Sequence, residues 1–120
     1  MLVHFNMGTY AFNGDPSCTP ENWNVQAPYA DGLSSNPETF NPEKLDIGNW
    51  ITSMKNLGAN SAVLTAKHGC GYLLWPTETS LPDDTPYNYD VSNSGTKRDV
   101  IGEFVDAMKE AELGYGFYYR

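Results

Sequence analysis

The sequence predicts an α/β fold with parallel strands, and two observations support this prediction. Three short apolar segments of strand character alternate with two segments whose apolar residues recur at helical spacing. The connections are unequal, because each helix-to-strand link has about three residues, whereas the two strand-to-helix loops have about thirty or forty. Long loops at one end of a parallel sheet are typical of the functional face, which lies at the carboxyl ends of the strands.

The composition indicates a folded, acidic chain. Its 120 residues are 40% hydrophobic and 13% aromatic, and the formal net charge is −8. This charge, without a basic cluster, disfavours nucleic acid and anionic membrane surfaces as partners. The sequence has no apolar run near the roughly 20 residues that cross a bilayer, and its first residues lack the pattern of a signal peptide. The amino terminus therefore does not reveal a cellular location.

The first predicted strand is Leu2–Asn6, an apolar run that is interrupted by His4. Turn-rich sequence with no sustained period follows from Met7 to about Leu45. We interpret this stretch as a long loop with room for one helical turn.

The first predicted helix runs from Ile47 to Leu57. Asp46 fits its N-cap, because a short acidic side chain can accept a backbone N–H of the first turn, and Gly58 fits its stop. The apolar residues of this helix share one face: Ile47, Trp50, Ile51, Met54 and Leu57. The second predicted strand, Ser61–Thr65, follows closely and leads into a second long loop, 66–98.

The second predicted helix begins after Asp99, which is another fitting N-cap. Its apolar face consists of Val100, Ile101, Phe104, Val105, Met108 and Ala111. The third predicted strand is Tyr115–Tyr119. The resulting order of strand, helix, strand, helix, strand predicts parallel pairing through right-handed crossovers.

Three strands and two helices cannot close a barrel, and the outer edges of the first and third predicted strands would remain unpaired. A complete (β/α)₈ TIM barrel needs about 250 residues. We therefore interpret residues 1–120 as one partial domain, the N-terminal fragment of such a barrel, cut before the fourth strand.

The chain contains two histidines, His4 and His68, each at or near the carboxyl end of a neighbouring predicted strand. We therefore expect them to converge on one pocket. The alternatives are hydrogen-bonded core histidines and the first ligands of a zinc shell. Zinc is disfavoured because neither H-x-H nor H-E-x-x-H spacing occurs, so no metal or cofactor is predicted.

Aromatic, acidic and thiol groups lie in the two long loops. Trp23 and Trp75 either pack the loops onto the rim of the sheet or offer stacking faces to a ring-shaped ligand, since aromatic faces suit the C–H faces of sugars. Glu21, close to Trp23, is the carboxylate that we single out in the first loop. Cys18 and Cys70 are either free thiols or, in an oxidising compartment, a disulfide between adjacent loops.

Four segments occur in an order and at spacings that are typical of one enzyme family. The run L-V-H-F-N-M-G-T-Y resembles its first-strand motif F-x-H-[WF]-G, and P-E-T-F-N-P-E-K-L-D resembles its helix entry F-N-P-x-x-[FL]-D. The run T-A-K-H-G-C-G-Y-L-L-W-P-T is similar to T-A-K-H-H-D-G-F-x-L-W-P-S, and 89–91 with 97–100 resembles the approach to the second helix. Over nearly its whole length the chain thus resembles the catalytic domain of the α-L-fucosidases of glycoside hydrolase family 29.

This resemblance implies a retaining glycosidase that removes terminal α-linked L-fucose from glycans through a covalent glycosyl-enzyme. Such chemistry needs a carboxylate nucleophile and a second carboxyl as acid/base, about 5–5.5 Å apart. In the family the nucleophile is an Asp after the fourth strand, so we expect no catalytic carboxylate, and no activity, in these 120 residues alone. The resemblance also suggests a secreted, lysosomal or periplasmic location.

The resemblance carries over the sugar-binding residues. His4 and His68 match hydrogen-bond partners of the fucose hydroxyls, and Trp75 matches part of the pocket wall. Glu21 or Asn22, together with Trp23, matches the family's Glu-Trp pair, although Asn22 separates the Glu from the Trp here.

The departures from the family pattern define the alternatives. Gly69 and Cys70 stand where the common signature has a second His and an Asp, so one expected sugar contact is missing. A non-catalytic carbohydrate-binding relative of the same fold is therefore the second hypothesis, and a metal-dependent hydrolase is the third.

Overall fold

The computed structural model describes residues 1–11, 37–69 and 71–120. The strands are β1 (Leu2–Val3), β2 (Ser61–Lys67) and β3 (Gly114–Tyr119), and the helices are α1 (Gly8–Ala11), α2 (Ile47–Asn56) and α3 (Val100–Glu110). Single 3-10 turns occur at Pro37–Thr39 and Val91–Asn93. Within the described residues, none of the helices has the length and apolar character that a membrane span requires.

The three strands form one parallel sheet in the order β1, β2, β3. Leu2 lies opposite Val63 on β2, and Ser61 lies opposite Gly114 on β3. The longer helices, α2 and α3, occupy the connections between consecutive strands. The predicted α/β class, its element order and its parallel pairing are therefore confirmed.

The predicted extent of the first strand is wrong, because β1 ends at Val3 and not at Asn6. Beyond Val3 a side chain replaces the backbone ladder: the hydroxyl of Thr65 accepts the N–H of Phe5 at 3.0 Å and donates to the carbonyl of Phe5 at 2.9 Å. Asn6 then turns the chain, since its side-chain oxygen accepts the N–H of Gly8 at 2.8 Å and α1 begins there.

The predicted end of the second strand is also wrong, because β2 continues for two residues beyond Thr65. Lys67 lies opposite Tyr119, and its carbonyl accepts the N–H of Arg120 at 3.2 Å. The continued pairing with β3 keeps the chain extended as far as Lys67.

The predicted N-caps of the two longer helices are confirmed. The carboxylate of Asp46 accepts the N–H of Asn49 at 2.9 Å, and that of Asp99 accepts the N–H of Gly102 at 2.8 Å. The first of these helices ends one residue earlier than predicted, at Asn56, and Leu57 is the C-cap that follows it, with a side chain that is 75% exposed.

The core lies between one face of the sheet and the helices α2 and α3. Along β2 the side chains of Ala62 and Leu64 are buried on this face, whereas Val63 is 38% exposed on the other. The core cluster contains Met7, Phe40, Met54, Ala62, Leu64, Tyr72, Leu74, Tyr89, Val91, Val100, Phe104 and Met108. Buried residues from 72–91 therefore make the second long loop part of the core.

Thr65→Val is expected to lower the free energy of unfolding by about 1–3 kcal/mol, because it leaves both backbone groups of Phe5 without the hydroxyl that satisfies them. Thr65 is only 2% exposed, so water cannot substitute easily. Urea unfolding of the purified protein measures the change. The matched control is Thr52→Val on the exposed side of α2, where the hydroxyl donates to the carbonyl of Gly48. A loss in the control as large as that in Thr65→Val would contradict this account.

Candidate functional site

The candidate site lies at the carboxyl ends of the three strands. His4 directly follows β1, His68 directly follows β2, and Tyr118 is near the end of β3. The ring centroids of His4 and His68 are 4.6 Å apart, and those of His68 and Tyr118 are 5.8 Å apart. The two histidines that were expected to converge therefore do lie side by side, with a tyrosine as the third member.

A β-bulge in β2 determines the direction in which His68 faces. Thr65 lies opposite Tyr118 on β3. Lys67 lies opposite Tyr119, so two residues of β2 span one residue of β3. Strict alternation along β2 would place residue 68 on the face covered by the helices. The bulge changes this alternation, and His68 lies beside Tyr118 on the face that the described helices leave open.

His68 is a buried, neutral imidazole at neutral pH. Its side chain is 8% exposed, and its Nδ1 is buried without a hydrogen-bond partner among the described residues. Burial lowers the pKa of His68 below its ordinary value of 6.5, and positive charge on His4, Arg120 and Lys67 lowers this pKa further. A neutral imidazole offers one N–H donor and one lone pair, which suits ligand hydroxyls.

His4 is exposed at the surface of the site, whereas Asn6, the residue that its ring contacts, is buried. Its Nε2 lies 3.0 Å from the Nδ2 amide of Asn6, which is only 2% exposed. The orientation of the His4 ring is therefore controlled by a buried polar group.

A second contact network borders the histidines. The ammonium of Lys67 donates a hydrogen bond to the carbonyl of Arg120 and lies 5.1 Å from the centroid of the Tyr119 ring. The pKa of Lys67 is lowered by burial and then by the charge of Arg120. Trp75 lies on the same tyrosine, with ring centroids 6.4 Å apart. Trp75 therefore lies beside the end of β3, where its ring contacts Tyr119, the residue that follows Tyr118.

Some predicted site residues lie outside the described residues. These are Glu21, Trp23, Cys18 and Cys70, so the Glu-Trp pair and the disulfide remain predictions. In the ranges that the structure does describe, no group of three or more His, Cys, Asp or Glu side chains is arranged to hold a metal ion.

Three residues of the candidate site were not predicted from the sequence: Asn6, Lys67 and Tyr118. Tyr118 lay within a predicted strand, but an aromatic run with exposed residues on both faces gives no sign of which side meets the site. The sequence did contain a signal for Asn6. An Asn two residues before a Gly is typical of a turn in which the side-chain oxygen of the Asn accepts the backbone N–H of the Gly.

The comparisons with known proteins identify the family of this chain. The family model described as alpha-L-fucosidase matches residues 13–120. Alpha-L-fucosidase 1 from Arabidopsis thaliana is 31% identical over 121 residues, which cover 98% of this chain and 20% of the relative. His4 precedes the residues that the family model matches. The chain spans about a fifth of the length of the curated relatives that it matches first.

Two solved structures of glycoside hydrolase 29 proteins are similar to this chain in fold and in sequence. A glycoside hydrolase 29 family member from a rumen bacterium has a TM-score of 0.68 and 31% identity, covering 98% of this chain and 18% of that one. An α-L-fucosidase from Bacteroides thetaiotaomicron, trapped as a covalent intermediate in complex with 2-fluoro-fucosyl fluoride, has a TM-score of 0.61 and 31% identity over 69% of this chain and 17% of that one. The chain belongs to the α-L-fucosidase family.

Proposed function

We propose that this chain forms part of the sugar pocket of a retaining α-L-fucosidase, which removes terminal α-L-fucose from glycans. The observation that carries the proposal is the pair of histidine rings, 4.6 Å apart at adjacent strand ends, in a member of this family. The same arrangement places both imidazoles at the end of the sheet where parallel α/β enzymes bind their substrates.

The chemistry of the site suits a sugar ring. A neutral His68 can donate a hydrogen bond to one hydroxyl and accept one from another, so it suits a polyol that carries no charge. The ring of Tyr118, 39% exposed, offers an apolar face beside His68 to C–H groups or to the methyl group of a deoxy sugar. The relative from Bacteroides thetaiotaomicron, which was trapped with a fluorinated fucosyl compound, supports a fucosyl ligand for this chain as well.

We propose further that the cleavage step uses residues beyond these 120. Retaining hydrolysis needs two carboxyl groups about 5–5.5 Å apart, one as nucleophile and one as acid/base. Among the described residues, no carboxylate forms a hydrogen bond or an ion pair with His4 or His68. The three parallel strands would then be one part of a (β/α)₈ barrel, and the 120 residues alone would not hydrolyse fucosides.

The whole protein is expected to hydrolyse a nitrophenyl α-L-fucoside and to release L-fucose first as the α-anomer, because a double displacement retains configuration. Nitrophenol release measures turnover, and proton NMR of the fresh product distinguishes the anomers. A nitrophenyl β-D-glucoside is the control substrate. Binding of fucose in calorimetry without any turnover would instead support a non-catalytic sugar-binding relative, the reading that Gly69 favours. A protein that shows no fucose binding and no turnover would refute both the enzyme and the sugar-binding relative.

A further inference from the structure

We propose that Asn6 is a positioning residue that fixes His4 in the tautomer with the proton on Nδ1, so that His4 meets its ligand as a hydrogen-bond donor. The ligand role of His4 rests on the proposed function, whereas the tautomer is a property of the free protein. Asn6 is well placed for this purpose, because it is only 2% exposed and lies between the end of β1 and the start of α1.

The orientation of the Asn6 amide follows from its backbone partner. The N–H of Gly8 lies 2.8 Å from Oδ1 of Asn6, and a backbone N–H can only donate. This atom of Asn6 must therefore be the carbonyl oxygen. The other amide atom, Nδ2, then faces Nε2 of His4 at 3.0 Å.

The amide orientation in turn determines the tautomer of His4. An amide nitrogen is a donor only, so Nε2 of His4 must present a lone pair to Asn6. A neutral imidazole with its lone pair on Nε2 carries its proton on Nδ1. Since Nε2 is engaged by Asn6, the Nδ1–H group is the part of the ring that remains to bind a ligand hydroxyl.

The side chain of Asn6 is necessary for this constraint, because it makes both the contact with Gly8 and the contact with His4. A glycine at this position has no side chain that could reach the imidazole, so it could not fix the tautomer of His4.

A purely structural role for Asn6 is the competing explanation, because its oxygen also begins the turn into α1. Asn6→Asp separates the two roles. An aspartate oxygen can still accept the N–H of Gly8, so the turn is retained. Its second oxygen is an acceptor as well, so Nε2 of His4 must then carry a proton in order to pair with it. Asn6→Gly removes both contacts.

Nitrogen-15 NMR of the histidine rings in the whole protein, at about pH 8 where a free imidazole is neutral, tests the proposal. The His4 signals are assigned by their loss in His4→Gln. The expected spectrum is that of an Nδ1–H ring in the natural protein, of an Nε2-protonated ring in Asn6→Asp, and of a tautomer mixture in Asn6→Gly. Asn56→Asp, an equal charge change on the exposed end of α2, should leave the His4 spectrum unchanged.

Two results would overturn the proposal: an Nε2–H ring in the natural protein, or the same tautomer in the natural protein and in Asn6→Asp. A natural protein that does not hydrolyse fucosides would refute the proposed function and leave the tautomer result standing. If turnover is present, Asn6→Asp should reduce kcat/KM for the fucoside, since His4 would lose the Nδ1–H donor that it offers to the sugar.

Discussion

Replacing His68 with alanine in the whole protein is expected to lower kcat/KM for a nitrophenyl α-L-fucoside about 100-fold, which corresponds to about 2.7 kcal/mol of lost transition-state stabilisation. The reason is that in the proposed pocket the buried ring would offer both a donor and an acceptor to the sugar, and each such hydrogen bond is worth about 1–3 kcal/mol when one partner is left unpaired. Steady-state kinetics measures the loss, and isothermal titration with fucose measures how much of it is lost binding.

His68→Gln is the conservative comparison, because its amide retains one donor and one acceptor near the positions of the ring nitrogens. We expect it to recover part of the lost activity. Unchanged fucose affinity together with unchanged turnover in His68→Ala would show that the site is misassigned.

The pH dependence of His68 should follow from its lowered pKa. Because the neutral ring is the form that suits a sugar hydroxyl, its contribution should persist somewhat below pH 6.5 and disappear only when the buried ring gains a proton. A pKa that is lower in the folded than in the unfolded chain also means that protonation favours unfolding. This group therefore costs stability as the pH falls below 6.5, and it costs none well above that value.

Local sequence signals predicted the helices well. Asp46 and Asp99 are the N-caps that the sequence indicated, because a cap depends on side chains and backbone groups within one helical turn. The order of the strands was also predictable, because hydrophobic runs separated by helices leave few ways to build a sheet.

The strand ends and the direction of His68 were not predictable, because they depend on residues distant in sequence. β1 stops where Thr65, sixty residues away, satisfies the backbone of Phe5 with its side chain. The bulge that turns His68 towards the site exists only in the pairing of β2 with β3. A strict alternation along β2 would have placed this ring on the helix-covered face.

Replacing Phe40 with alanine is expected to lower the free energy of unfolding by about 3–5 kcal/mol, the usual cost of deleting a fully buried aromatic ring. Phe40 is completely buried, and its ring centroid lies 5.5 Å from that of Phe5, 5.1 Å from that of Tyr10 and 4.9 Å from that of Tyr72. It therefore joins the segment after β1 to the second long loop. Chemical denaturation followed by tryptophan fluorescence measures the change.

The matched control is Phe117→Ala on β3, where the ring is already 44% exposed and the expected cost is about 1–2 kcal/mol. A cost for Phe40 no larger than that for Phe117 would show that the aromatic cluster does not hold the fold together. The cluster should also matter for the site, because Phe5 directly follows His4 and packs on Phe40. In folded Phe40→Leu protein we therefore expect a weaker affinity for fucose than in the natural protein, since a smaller side chain at this position loosens the segment that carries His4.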